Sequence, residues 1–187
     1  MQSMKRCLGL SLMLLSFGWL HAATPELLPL TGLSLNVITV ATKKVVLNRF
    51  KTNYGSYDKD TIREREVEIV LSNLGRNPYD VKIVTHFIGK SNATNARLVL
   101  RTREEVMQVR PNTTCKLAAE SGLIGANDLN LQALGIRDIS GARIEGWIVI
   151  VSDSATGKML CCRASQSHLD ILARTPGELE KLPSGKK

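Results

Sequence analysis

The side chains with the greatest chemical reactivity outside the N-terminal leader are two histidines and three cysteines: His86, His168, Cys115, Cys161 and Cys162. Imidazoles and thiolates serve as bases, nucleophiles and zinc ligands. A redox-active pair has Cys-x-x-Cys spacing, which the adjacent Cys161 and Cys162 lack. A zinc site made from these two cysteines and His168 is disfavoured, because neighbouring residues of a strand point to opposite faces. We therefore predict no metal site, no cofactor and no thiol chemistry.

Hydrolytic chemistry has little more support in the sequence. Ser165 and Ser167 lie near His168 and would offer a nucleophile beside a base, but both serines also suit a helix cap. The sequence contains no Gly-x-Ser-x-Gly elbow, no phosphate-binding loop and no His-Glu-x-x-His motif. Carboxylate pairs at positions 58/60 and 104/105 lie in charged segments typical of a solvated face. We predict no catalytic residue, with an envelope hydrolase using His86 or His168 as an alternative.

The first 22 residues have the pattern of an export signal. Lys5 and Arg6 precede an apolar run from Leu8 to Leu20, and small residues follow at Ala22 and Ala23. The run is about a dozen residues long, shorter than the roughly 18 that span a bilayer. We predict cleavage near Ala22 or Ala23, a secreted or periplasmic mature protein, and no transmembrane segment after cleavage.

Export places the three remaining cysteines in an oxidising compartment, where one pair with one spare thiol, or an intermolecular bridge, is expected; the alternative is that the thiols are simply buried. Because Cys161 and Cys162 point apart on a strand, only one of them can share the core with Cys115. Leu160 and Ala164 alternate with neighbouring residues in the same phase as Cys162, which favours Cys162 as the inward partner of Cys115. Met159 is in phase with Cys161 and makes Cys161 nearly as good a partner. Either bridge would close a loop of about 46 residues and contribute about 4 kcal/mol.

The mature chain has the size and composition of one domain. We predict a signal peptide at 1–22, a single domain at 23–183 and a disordered tail at 184–187. Loss of Lys5 and Arg6 with the leader lowers the formal net charge from +8 to +6. The cations alternate with acids, as in residues 63–66 and 101–105, which argues against a nucleic-acid-binding face.

Hydrophobic periodicity is mostly two, which predicts strands. Residues 33–40, 67–71 and 81–87 alternate apolar and polar side chains, and the Gly, Asn and Pro of residues 73–78 predict a hairpin turn. Residues 147–151 are apolar on both parities, which predicts a strand covered on both faces. Residues 128–135 suit either a strand or a short helix.

The C-terminal segment changes to a helical pattern. Ser167 and Asp170 predict a capping pair, and the helical segment is expected to cover 166–182, with Leu179 and Leu182 docking on the core. Together the patterns predict a mainly β protein: an antiparallel two-sheet, immunoglobulin-like β-sandwich with a short C-terminal helical segment.

One cluster of aromatic and basic residues lies in a polar stretch between two predicted strands. It comprises Arg49, Phe50, Lys51, Tyr54 and Tyr57. Exposed tyrosines offer flat, hydrogen-bonding surface to a sugar ring or a protein. These residues are the predicted ligand or partner face; the alternative is that Phe50 and one tyrosine cap an open end of the sandwich.

Four short motifs occur in order along the mature chain: Gly55-Ser56-Tyr57-Asp58-Lys59-Asp60, His86-Phe87-Ile88-Gly89, Gly146-Trp147-Ile148-Val149 and Arg163-Ala164-Ser165 before a Leu-rich helix. In the order of these motifs, the chain resembles a loose set of uncharacterised secreted bacterial β-sandwich proteins. The resemblance implies a bacterial exported or envelope sandwich and no particular activity. The adjacent cysteines are not part of the pattern.

The sequence thus predicts an exported, non-catalytic binding or structural protein of the bacterial envelope. Its expected partner is an envelope protein or a glycan, and nucleic acid is not expected. An envelope polysaccharide-binding module is the main alternative, and the hydrolase is a less favoured one.

Overall fold

The computed structural model describes residues 32–185, so the predicted leader and its cleavage site lie outside the described residues. It contains eight strands, one 3-10 turn and one α-helix. They are β1 (Leu33–Lys51), β2 (Tyr57–Asn73), β3 (Tyr79–Ser91), β4 (Arg97–Val109), β5 (Thr113–Glu120), β6 (Ile124–Leu131), the turn Gln132–Leu134, β7 (Ile136–Asp153), β8 (Met159–Ala164) and α1 (Ser167–Arg174).

The strands form two antiparallel sheets, as the sequence predicts. In the first sheet β2 pairs with β1 on one side and with β5 and β6, one after the other, on the opposite side. The second sheet has the order β8-β7-β3-β4. The start of β7 pairs with β6 of the first sheet, and its remainder pairs with β3 of the second. The fold is therefore a β-sandwich in which β7 joins the two sheets at one end.

The core consists of two layers on either side of the second sheet. Between the sheets lie apolar residues from most strands, including Leu35, Ile69, Phe87 and Val149. On the outer face of the second sheet, α1 packs on a smaller cluster: Ile88, Ile148, Cys162, Leu169 and Ala173. The strand at 147–151 is therefore covered on both faces, as its two-parity apolar pattern predicts.

β1 and β2 continue beyond the sandwich to form an arm. The arm comprises residues 41–65 and 124–141, that is, the outer halves of β1 and β2 with β6 and the start of β7. At the base of the arm β7 changes sheets at Gly141, whose φ is +76°. A side chain there would collide with the Gly125 carbonyl, so the close crossing of β6 and β7 requires glycine.

Three local predictions need correction or refinement. The helix is shorter than expected, because only 167–174 is α-helical and the following residues form turns, although Leu179 and Leu182 do pack on the outer cluster. Gln166 rather than Ser167 occupies the N-cap, without a side-chain cap bond. The ambiguous segment at 128–135 divides into the end of β6 and a 3-10 turn closed by Gly135 at φ 64°.

The predicted tail is ordered at its first two residues. Ser184 bridges to Val99 of β4, and the Gly185 amide donates to the Val99 carbonyl at 2.8 Å. These bonds satisfy part of the exposed edge of β4, which explains why the chain does not fray at Ser184.

Asn73 secures the turn between the first and second sheets. Its buried side-chain amide donates to the carbonyls of Asn77 at 2.8 Å and Val109 at 3.1 Å, and its oxygen accepts from the Gly75 amide at 2.8 Å. One side chain thus satisfies three backbone groups at the end of β2, which an apolar residue cannot do.

We expect Asn73→Ala to lower the free energy of unfolding by about 2 kcal/mol, since it leaves buried backbone groups without partners. Urea denaturation followed by Trp147 fluorescence measures the change. The matched control is Asn77→Ala on the exposed side of the same turn, expected to change stability by less than about 0.5 kcal/mol. Equal effects of the two substitutions would contradict the assigned role of Asn73.

Candidate functional site

The predicted partner face lies at the tip of the arm. Arg49, Phe50 and Lys51 end β1, Tyr54 lies in the turn with 87% of its surface exposed, and Tyr57 begins β2. The five residues are therefore close together, as expected from a hairpin. They do not form one surface, because strand alternation divides them between the two faces of the arm.

Arg49 and Phe50 lie on the outer face, the face that turns away from the second sheet. Phe50 is paired with Asp58, and a bulge brings the Arg49 guanidinium to Asp60 at 2.7 Å. Asn127 of β6 donates to the carboxylates of both Asp58 and Asp60, at 2.7 and 2.8 Å. These hydrogen bonds hold the pKa of Asp60 below its ordinary value, the largest contribution coming from Asn127. Arg49 is thus engaged within the protein.

Lys51 and Tyr57 lie on the inner face. The Tyr57 hydroxyl donates to Asp128 at 3.2 Å, which ties β2 to β6. Tyr57 is therefore half-buried and has a structural contact, whereas Tyr54 is free to meet a ligand. Of the two tyrosines, only Tyr54 offers the flat exposed surface that the sequence predicts.

The open edge of β1 is a larger exposed feature than the tip. Along the whole of β1 the only strand paired with it among the described residues is β2. Two bulges, near Val40 and Arg49, leave an uninterrupted segment at 41–48 between them. Large apolar side chains along this strand are exposed: Ile38, Val40, Val45, Val46, Leu47 and Phe50. An unpaired edge with this composition invites another strand.

Charge on β2 is sorted by strand parity, which the sequence analysis did not recognise. Lys59, Arg63 and Arg65 share the inward face with the buried Val67, whereas the acids at 58, 60, 64, 66 and 68 point outward. The same rule places Arg101 and Arg103 of β4 beside inward-facing residues of β3. The alternation of acid and base that suggested a neutral surface therefore produces an inner basic face.

Arg101 and Arg103 border a cleft between β4 and the connection from β5 to β6. The cleft has a volume of about 930 Å3 and is lined by Arg101 and Arg103 together with apolar and small residues: Leu98, Leu100, Leu123, Ile124, Gly125, Gly141, Ser91 and Ser121. A side chain on Gly122 would overlap the Arg101 guanidinium, so that group lies against the backbone of the β5–β6 connection.

Arg63 and Arg65 of β2 are not among the residues that line the cleft, but their backbones pair with two residues that are, Ile124 and Ser121. The Arg65 amide donates to the Ser121 hydroxyl at 2.9 Å, and the Arg65 carbonyl accepts from the Ser121 amide at 2.9 Å. Arg63 is paired with Ile124 and lines an adjoining cavity of about 300 Å3 with Arg143. The buried Nε of Arg65 has no hydrogen-bond partner within the described part of the chain. Burial, followed by the charge of Arg63, lowers the pKa of Arg65.

Each of the two histidines makes a side-chain contact within the protein. His86 is on the outer face of β3, with its Nδ1 at 3.0 Å from the Thr102 hydroxyl, and burial lowers its pKa. His168 contacts Glu145 at 3.0 Å. Glu145 also binds Arg97 through two hydrogen bonds, at 2.8 and 3.0 Å, and Lys90 at 3.3 Å. Within residues 32–185 no three acidic, cysteine or histidine side chains converge as metal ligands.

The predicted disulfide is not formed, and all three thiols are free. Cys115 and Cys161 both face the space between the sheets, but β5 contacts β4 and β8 contacts β1, so the two cysteines lie at opposite edges of the sandwich. Cys162 faces α1 instead. The preference for Cys162 was wrong because Leu160 sits in a bulge, which removes it from the alternation used to infer the inward face.

Comparisons with known proteins do not assign a family. No protein-family model and no curated protein matches the chain. Among solved structures, a Bacteroides uniformis beta-glucuronidase matches at 9% identity and a TM-score of 0.33, covering 65% of this chain and 12% of the enzyme. The chain thus spans about an eighth of that protein.

Two further solved structures match over more of their length. A Northeast Structural Genomics Consortium target, SoR45, is 13% identical, with 83% of this chain and 96% of that one covered at a TM-score of 0.31. A structure from Akkermansia muciniphila is 10% identical, with 82% and 80% covered at a TM-score of 0.30. Similarities this distant carry no argument about function. No helix within residues 32–185 has the length and apolarity needed to cross a bilayer.

The Glu145 cluster predicts a loss of stability in acid. Hydrogen bonds from Arg97 are the main cause that lowers the pKa of Glu145 from 4.5 to about 2. Because the folded pKa is below the unfolded one, this stabilisation, at most about 3 kcal/mol, is complete above pH 4.5 and is lost as the pH falls towards 2.

We therefore expect Glu145→Gln to lower the free energy of unfolding by about 2 kcal/mol at pH 7 and to weaken its decline between pH 4.5 and 2. Urea denaturation at several pH values measures both effects. Glu178→Gln removes an exposed ion pair with Lys181 and is the control, with an expected change below about 0.5 kcal/mol. An unchanged pH dependence in Glu145→Gln would refute this assignment.

The free thiols predict slow alkylation in the folded protein. Burial raises the pKa of Cys161 to about 11, so little thiolate is present at pH 8. We expect iodoacetamide to modify Cys161 much faster after denaturation than before, and to modify all three cysteines of the denatured, unreduced mature chain, as read by mass spectrometry. Recovery of a Cys115 disulfide would contradict the arrangement of the strands.

Proposed function

We propose that the protein is an exported, non-catalytic binding subunit of the bacterial envelope, and that the open edge of β1 receives an extended segment of a partner protein. Export rests on the sequence pattern of residues 1–22. The observation that carries the binding role is the unpaired segment at 41–48, which combines free backbone groups with exposed apolar side chains.

Backbone geometry supports strand addition at this edge. An added strand gains main-chain hydrogen bonds from the unpaired side of β1, and side-chain contacts give it specificity. Val45 and Leu47 are paired with Ile62 and Asp60 and lie on the outer face, whereas Val46 is paired with Thr61 on the inner face. A partner strand with apolar residues at alternate positions would therefore place them beside Val45 and Leu47 on the outer face of the arm.

Charge favours an acidic partner over a second copy. β1 contains Lys43, Lys44, Arg49 and Lys51 and no acidic residue. Lys43 and Arg49 contact Glu64 and Asp60 of β2, so Lys44 and Lys51 on the inner face carry the charge available to a partner. If segment 41–48 paired antiparallel with itself, Lys44 of one copy would lie diagonally opposite Lys43 of the other, and like charges at that spacing repel. A segment that alternates apolar residues with Asp or Glu has the opposite charge and is the occupant that we propose.

The absence of catalysis is part of the proposal and rests on how the candidate bases are used. His86 is half-buried against Thr102, and His168 contacts Glu145, which already binds Arg97 and Lys90. A general base needs a reacting group within hydrogen-bond reach, and the groups within reach of these two are structural partners. A binding subunit requires no such site.

The test uses a photoreactive residue at Asn48 in the cells that make the protein, with mass-spectrometric mapping of the adduct. We expect adducts to an extended, acidic segment of one protein, and an approximately tenfold loss of adduct in Val45→Asp/Leu47→Asp, because two carboxylates replace apolar contacts and repel acids. The matched control is Val106→Asp/Ile171→Asp, which makes the same change at two other exposed apolar positions.

Three results would contradict the proposal. One is adducts between two copies of β1, which would identify self-association. The second is adducts that map to glycan or to a basic or folded region of a protein. The third is adduct formation that the β1 variant and the control variant reduce equally.

A further inference from the structure

We propose that the cleft between β4 and the β5–β6 connection binds a small polyanion, a molecule with two or more carboxylate or phosphate groups, between the arginines of β2 and β4. This site is separate from the β1 edge, and the inference goes beyond the proposed function. Its ligand is defined by the guanidinium groups of Arg101 and Arg103, which line the cleft, with Arg63 and Arg65 beside it on β2.

The first support is the absence of internal acidic partners at these arginines. Arg49, Arg97 and Arg174 each contact a carboxylate. Arg63, Arg65, Arg101 and Arg103 contact none within the described residues, although all but the exposed Arg103 are partly buried, and no carboxylate of those residues lines the cleft. Four like charges directed to one region repel one another, and an anion between them reverses that energy.

The neighbouring acids do not neutralise the cleft. Glu105 and Glu120 line a separate small cavity with Arg103, and Asp128 lies in the adjoining cavity with Arg63. The Asp128 carboxylate already accepts from Tyr57 and lies 3.6 Å from Arg137. The Asp128 Oδ1 has no hydrogen bond, but neither it nor any other carboxylate of the described residues lines the cleft itself.

The second support is the buried, unpaired Nε of Arg65. A buried donor without a partner costs about 1–3 kcal/mol, and more when it belongs to a charged group. Because replacement of Arg65 by an apolar side chain would remove that cost, stability alone does not account for it. Because the Arg65 backbone is bonded to Ser121, which lines the cleft, a ligand oxygen that reaches the Arg65 guanidinium would give this Nε an acceptor.

Spacing and shape define the ligand further. Alternate residues of a strand are about 7 Å apart, so Arg63 with Arg65, and Arg101 with Arg103, can each bind separate oxyanions of one molecule. Guanidinium binds carboxylate and phosphate through paired hydrogen bonds. The volume of about 930 Å3 is near the upper end for small-molecule sites, and Leu98, Leu100 and Leu123 offer contact to a carbon skeleton.

The test is calorimetric titration of the mature chain with citrate and with tripolyphosphate, at low and at physiological salt. We expect at least one to bind, with affinity that falls as salt rises. Arg101→Gln/Arg103→Gln should lose about tenfold or more in affinity. The matched control, Arg76→Gln/Arg110→Gln, removes the same charge at exposed positions away from the cleft and should bind as the parent does. Citrate alone would identify a carboxylate ligand, and tripolyphosphate alone a phosphate.

Arg65→Met provides a second measurement that does not depend on the folding of the double variant. If Arg65 is held for a ligand, Arg65→Met abolishes binding while the Tm of the free protein stays the same or rises. A marked fall in Tm would make Arg65 structural and overturn the inference. Binding of neither probe, or equal weakening in the cleft and control variants, would overturn it as well.

Discussion

Burial of residues 147–151 of β7 on both faces is the constraint on which the rest of the structure depends. These residues contact the first sheet on one side and the cluster beneath α1 on the other. Trp147 joins the layers directly, since its indole N–H donates to Thr39 of β1 at 3.0 Å and its amide donates to the Ser165 hydroxyl at 3.0 Å. With this strand fixed, the sheets, the helix and the base of the arm have defined positions.

The core ends part-way along β2, and this boundary separates the residues that pack from those available for binding. Inward residues of β2 are apolar from Val67 to Leu71 and, apart from Thr61, basic from Lys59 to Arg65, although the strand itself is continuous. The sandwich half therefore supplies stability, and the arm half presents an open edge and charged surface. A rigid strand that extends out of its core places those groups without a flexible loop.

The sequence predicted the elements that depend on local hydrophobic periodicity. The predictions failed where a β-bulge or the order of distant strands determines which residues meet. The alternation at 67–71, the turn at 73–78 and the two-parity run at 147–151 all gave the correct elements. The disulfide prediction failed because a bulge at Leu160 breaks the parity rule and because strand order, which separates Cys115 from Cys161, is not local information. The arm tip was found, but its division into two faces depends on a bulge at Arg49. The basic cleft was missed although parity alone separates the cations from the acids of β2.

Because acids and bases alternate along β2, the charge on each face of the arm depends on the exact number of residues in that strand. Removal of one residue from β2 between Arg65 and Val67 would exchange the two faces of the arm, turning Asp58, Asp60 and Glu64 inward and Arg63 outward. Amino-acid composition and isoelectric point would hardly change, yet the β2 side of the inner face would change from basic to acidic, while Arg101 and Arg103 of β4 would stay in place. Deletion of a single codon can therefore reverse the charge that β2 presents on each face of the arm while the net charge of the protein stays almost the same.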